Sequence, residues 1–278
     1  MRRTLLVLML GILTCAAALT AQTADELVAK NIAAKGGLEK MRARQSLRMI
    51  GRMNQGGFII QVSSEAKRPD FLRQNFTIQG MTQTAAYDGT TGWQISPFQG
   101  RKDPELLGED DMREMVEDAD FGGPLVDYTQ KGNTIEYIGH DVVDGDDALK
   151  LKVTLKNGDI IYYFLDPDTA IEIRTDKLIF VRGSMHETVT DMGSYKPVAG
   201  VMYPFSVESG PKGNPNARVK ISIEKIETNV PLDDQMFRMP AAPATSAAPV
   251  PPAEPPKNPP PNQPKPPEKP KPNEVVPH

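Results

Sequence analysis

From Ser46 to about residue 227 the chain repeats with a period of two. That period sends successive side chains to opposite faces of a pleated strand, so these runs can fold only into sheet. Strands are expected near 46–54, 57–66, 70–79, 81–88 and 92–97. They resume near 133–142, 148–156, 159–166, 170–180, 184–192, 201–208 and 217–227. Gly80, Asp88-Gly89, Asp144-Gly145, Asn157-Gly158 and Asp166-Pro167-Asp168 supply the turns between them. Short strands separated by turns, without helix–strand alternation, indicate an antiparallel barrel or sandwich.

One stretch before this region and one within it lack that period. Thr23 to Lys35 reads as a helix: Thr23 and Glu26 form a capping box, Leu27, Val28, Ile32 and Ala34 a stripe, and Gly36-Gly37 the stop. Leu38 to Ala43 adds another turn. Residues 103–120 place Leu106, Leu107, Met112, Met115, Val116 and Ala119 at helical spacing. Nine acidic residues share that stretch without the spacing of an EF-hand loop, so a solvated helix face is expected. Such a helix would plug the open side of a curved sheet.

The ends carry other information. Arg2-Arg3, an apolar run from Leu5 to Leu13 and small residues to Ala21 form a secretory signal peptide, residues 1–21. Cys15, the only cysteine, leaves with it, so no disulfide or thiolate chemistry is expected in an exported mature chain. Residues 241–278 hold 15 of the 26 prolines and scarcely a large apolar residue, the composition of a disordered tail. A single domain is expected over 22–240. The formal charge of −4 becomes −6 once Arg2 and Arg3 are removed, which argues against nucleic acid as a partner.

Catalytic chemistry finds little footing. His140, His186 and His278 are the only histidines, and no G-x-S-x-G elbow accompanies them. Asp141, Asp144, Asp146 and Asp147 form a dense acidic turn with the pattern of a hairpin tip rather than a metal site. No phosphate-binding or dinucleotide motif follows a strand, so neither enzyme activity nor a cofactor is expected. Of the 13 methionines, Met49, Met53, Met81, Met185 and Met202 fall on strands. Flexible, polarisable side chains there suit either core filling or a pocket for ligands of varied shape.

One segment is more specific. Lys67-Arg68-Pro69, then Tyr87-Asp88-Gly89, Trp93 and Ser96-Pro97 resemble the KRP … DG-three-residues-W … P signature of the LolA-like, outer membrane lipoprotein-sorting family. Weaker similarity extends from about Ala24 to Pro240. The resemblance implies a mainly β fold with helices (α+β): an incomplete antiparallel β-barrel of about 11 strands covered by helices, LolA/LolB-like. It implies a monomeric periplasmic carrier that shields lipoprotein acyl chains, or a related envelope lipid, during transfer toward the outer membrane. Its partners would be an inner-membrane ABC transporter and an outer-membrane receptor. Arg68 matches the arginine that holds the lid shut through hydrogen bonds to backbone carbonyls, a task suited to five guanidinium donors. Phe71 and Trp93 are expected to line or back the cavity, with Phe58, Ile60 and Val62 as a further wall. The alternative is a periplasmic lipid- or lipoprotein-sensing module of an envelope-stress pathway. An enzyme acting on envelope lipids is a third reading that lacks an acid–base or metal constellation.

Overall fold

A computed structural model of the chain describes residues 23–55, 57–181 and 183–241. The expected leader, and all but the first residue of the expected tail, lie outside the described residues. Two helices come first, α1 (Ala24–Ala34) and α2 (Leu38–Ala43). Five strands follow: β1 (Ser46–Gln55), β2 (Phe58–Lys67), β3 (Phe71–Ile78), β4 (Met81–Asp88) and β5 (Gly92–Ile95). The short β6 (Glu105–Leu106) precedes α3 (Glu109–Asp118) and the single turn α4 (Tyr128–Lys131). The second run holds β7 (Thr134–Val143), β8 (Asp146–Thr154), β9 (Ile160–Leu165), β10 (Glu172–Val181) and β11 (Ser184–Gly193). It ends with β12 (Lys196–Val198), β13 (Val201–Tyr203), β14 (Ser206–Pro211) and β15 (Val219–Thr228).

Thirteen strands form one antiparallel sheet in the order β6-β5-β4-β3-β2-β1-β15-β14-β11-β10-β9-β8-β7, and β12–β13 form a separate ribbon. The last strand pairs with the first, Leu47 facing Thr228, while the outer strands β6 and β7 do not meet. The barrel is therefore incomplete. The expected strand at 201–208 is broken by Pro204, which offers no amide proton to a ladder, into β13 and β14. The expected helix at 103–120 starts only at Glu109. Leu106 is instead paired with Trp93 in β6, and the Leu107 amide donates to the Gly92 carbonyl at 3.0 Å.

The helices cover one face. α1 carries the expected capping box, and its Leu27 and Val28 pack on Leu149, Leu151, Val153 and Tyr163. Asn31, 1% exposed, donates to the Ala170 carbonyl at 2.8 Å, and Lys35 pairs with Glu172 at 2.7 Å. The helix must stop at Gly36: its φ is +116°, and a Cβ there would stand 2.1 Å from the Gly200 carbonyl oxygen. α2 inserts Met41 among Val126, Val201, Tyr203, Ile223 and Ile226. α3 lays Met115 on Leu72 and Tyr87, with Met112 packed beside it.

The opposite face of β1–β5 is crossed by residues 229–238. The Asn229 side chain accepts from the Gln45 amide at 2.8 Å, and Lys67 Nζ donates to the Leu232 carbonyl at 3.0 Å. Arg73 donates to the Met236 carbonyl at 2.7 Å and Trp93 Nε1 to the Phe237 carbonyl at 2.8 Å. This strap seals the outside of the sheet with Phe237, which is fully buried.

Candidate functional site

Directly opposed residues in an antiparallel pair share a face, so register decides which side chains look inward. Leu47↔Ala66, Ala66↔Leu72 and Leu72↔Tyr87 form one row. Tyr87 and Leu72 meet α3, so this row lies on the helix-covered face. Arg48↔Glu65, Glu65↔Arg73, Arg73↔Ala86 and Ala86↔Trp93 form the alternate row, on the strap side.

Between the inner row and the end of α3 lies a cavity of about 390 Å³. Leu47, Met49, Val62, Ala66, Leu72, Phe76 and Ile221 give its apolar wall. Asp118, Ala119, Asp120 and Phe121 cover it from the α3 side, and Arg44 lines it from the segment after α2. A second cavity of about 610 Å³ lies beside α3, with Tyr87, Met112, Val116 and Leu155 among a largely charged rim that includes Arg113, Glu117 and Lys131. Asp120 lines both, so α3 and the residues after it form the partition. The smaller cavity has the continuous sheet wall.

The covering segment is held by a few polar contacts. Glu117 pairs with Lys177 at 2.9 Å, and Arg113 approaches Asp159 at 3.8 Å. Burial raises the Glu117 carboxyl above its usual range despite Lys177, and its Oε2 is buried without a hydrogen-bond partner. Two guanidinium groups lie over the Phe121 ring, Arg44 at 5.3 Å and Arg68 at 4.9 Å from its centroid. Arg68 Nε donates to the Arg44 carbonyl at 2.8 Å and Nη2 to the Met41 carbonyl at 3.4 Å. These are the carbonyls a helix leaves unpaired at its C-terminal end. Arg68 thus grips the end of α2 and the residue that caps the cavity.

The other residues expected from the sequence divide. Val62 lines the cavity. Phe58 and Ile60 continue its row toward the β1–β2 hairpin, beyond the lining residues, where Phe58 is 49% exposed. Phe71 and Trp93 do not line the cavity. They fall on the strap side, Phe71 stacked on Phe237 at 5.3 Å and Trp93 1% exposed beneath it, and they back the wall from outside. The carboxylates of the acidic turn have partners: Asp141 pairs with Lys150 at 2.8 Å, Asp144 pairs with Arg174 at 3.1 Å, and Asp147 lies 2.9 Å from the His140 ring. Among the described residues no group of three or more His, Cys, Asp or Glu is placed to hold a metal ion. Arg44, Asp118 and Phe121 were not legible as site residues.

Asp118 gives the site a pH dependence. Desolvation, then the like charge of Glu114, pushes its carboxyl up to about 6 from an ordinary 3.8, against the pull of Lys177 and a 3.4 Å hydrogen bond from Gln74. The residue is nevertheless exposed, so solvent screens part of this effect. Between pH 3.8 and about 6 the folded chain keeps a proton that the unfolded chain has lost, so this group's contribution to stability falls as pH rises through that window. Asp118→Asn is expected to melt with the parent below the window and above it higher by about 2–4 °C, allowing for screening by solvent. Melting curves at both ends of the window check this. A constant offset at every pH contradicts the assignment.

No protein-family model and no curated protein matches the chain. Solved structures do. A LolA superfamily protein from Nitrosomonas europaea is similar over 78% of this chain and 98% of that one, at 12% identity and a TM-score of 0.53. A DUF1329 family protein from Desulfovibrio piger is similar over the same shares of the two chains, at 14% identity and a TM-score of 0.51.

Proposed function

We propose that this chain, whose fold is LolA-like, is a periplasmic carrier that shields the acyl chains of lipoproteins, or of a related envelope lipid. The observation that carries the reading is the apolar cavity of about 390 Å³ between β1–β3 and the end of α3. Each methylene withdrawn from water contributes about 0.8 kcal/mol, so an acyl chain crossing an aqueous compartment needs such a shelter. The volume falls within the usual range of small-molecule sites. In this reading α3 and Phe121 are the lid, and Arg68 is its clasp. Displacing them joins the two cavities that Asp120 now lines from both sides. The protein acts by binding rather than catalysis, as a monomer, between a membrane transporter that loads it and a receptor that unloads it.

Mass spectrometry of the lipid that co-purifies with the chain from an envelope fraction tests this. The expected result is an acyl-chain lipid retained through gel filtration and released by organic solvent. A chain that leaves the envelope empty, and stays empty after incubation with its lipid extract, is not a carrier. Capture of one membrane-bound regulator in place of lipid would favour the sensing module.

A further inference from the structure

Arg44 is 8% exposed and lines the cavity, yet no carboxylate among the described residues lies within ion-pair distance of it. Nε donates to the Met41 carbonyl at 3.1 Å and Nη1 to the Tyr203 hydroxyl at 2.6 Å. Nη2 donates to none of the described residues. A guanidinium is never neutral in a protein, and burying one without an anion is costly. Arg68, whose guanidinium also lies over the Phe121 ring, likewise has only carbonyls and that ring as partners among the described residues. Two cations therefore approach one aromatic ring at the end of an apolar-walled cavity, with no carboxylate among the described residues within ion-pair distance of either.

The carboxylates of the same cavity do not fill that role. Asp120 is held by Lys131 Nζ at 2.6 and 2.7 Å. Asp118 meets Gln74, and no cation lies within ion-pair distance of it among the described residues.

We infer that the Arg44 end of the cavity is a head-group site for a single-chain amphiphile carrying a carboxylate or a phosphate monoester. Its aliphatic tail runs along Leu47, Met49, Val62 and Phe76. Charge complementarity selects the occupant: the apolar wall takes any chain, while the unpaired guanidinium edge discriminates among heads. This deepens the carrier reading and rests on it.

Titration calorimetry with oleate, oleyl phosphate and oleyl alcohol, which share one chain, separates the two claims. The mature full-length protein is expected to bind one or both anions at least about tenfold more tightly than the alcohol, since a charged partner strengthens a hydrogen bond by that order. Whichever anion is favoured identifies the head. In Arg44→Gln the preference is expected to vanish, with a thermal melt verifying that the variant is folded. Equal affinity for all three ligands in the parent protein overturns the head-group site and leaves the carrier standing, as does a folded variant that keeps the preference. Failure of all three to bind removes both.

Discussion

Trp93→Ala is expected to destabilise the folded chain by roughly 3–5 kcal/mol, the range for emptying the site of a large buried aromatic side chain. The ring is 1% exposed, lies beneath Arg73 with 5.6 Å from guanidinium to centroid, and holds the strap through the Phe237 carbonyl at 2.8 Å. Its loss opens a void on the outside of β4–β5 and leaves a buried carbonyl without a donor. Trp93→Phe retains most of the volume and removes only that donor, which costs about 1–3 kcal/mol. Urea unfolding of both variants separates packing from hydrogen bonding. A loss below about 1 kcal/mol for Trp93→Ala would mean that the strap does not depend on this ring.

Val62→Trp is expected to cost binding rather than folding. Val62 faces Gly51 across the β1–β2 ladder and lines the cavity, so an indole at this position projects into empty space. Excluding about four methylenes of a bound chain, at about 0.8 kcal/mol each, weakens acyl binding by roughly 100-fold. Overpacking of a filled core would instead cost about 1–3 kcal/mol of stability. Affinity for a fluorescent acyl chain and an unfolding curve on the same sample decide between these outcomes. Unchanged affinity with a large fall in stability would place the ligand elsewhere and make this space ordinary core.

Much of the sheet was legible because period-two alternation leaves a strand little else to become. Pro204 was visible too, and its missing amide explains the one strand that divides. The start of α3 was harder. Leu106 fits the helical stripe by spacing, but its pairing with Trp93 depends on a neighbour thirteen residues away that local periodicity cannot register. Whether Phe71 and Trp93 line the cavity or back it was left open for a related reason. Residue type marks both as buried, whereas their face follows from parity relative to Leu72, and parity matters only once α3 is known to cover the Leu72 side. Arg68 was found through a motif. Arg44 and Phe121 belong to none, and their contact joins segments that only the folded chain brings together.

The turn between β2 and β3 works as a rivet through the sheet. Because consecutive residues there face opposite sides, Lys67 and Phe71 fasten the outer band of residues 232–237, while Arg68 fastens α2 and Phe121 within. Slack on the outside must therefore be felt inside. A pull on residues 232–237 bears on Lys67 and Phe71, and so on the turn that carries Arg68.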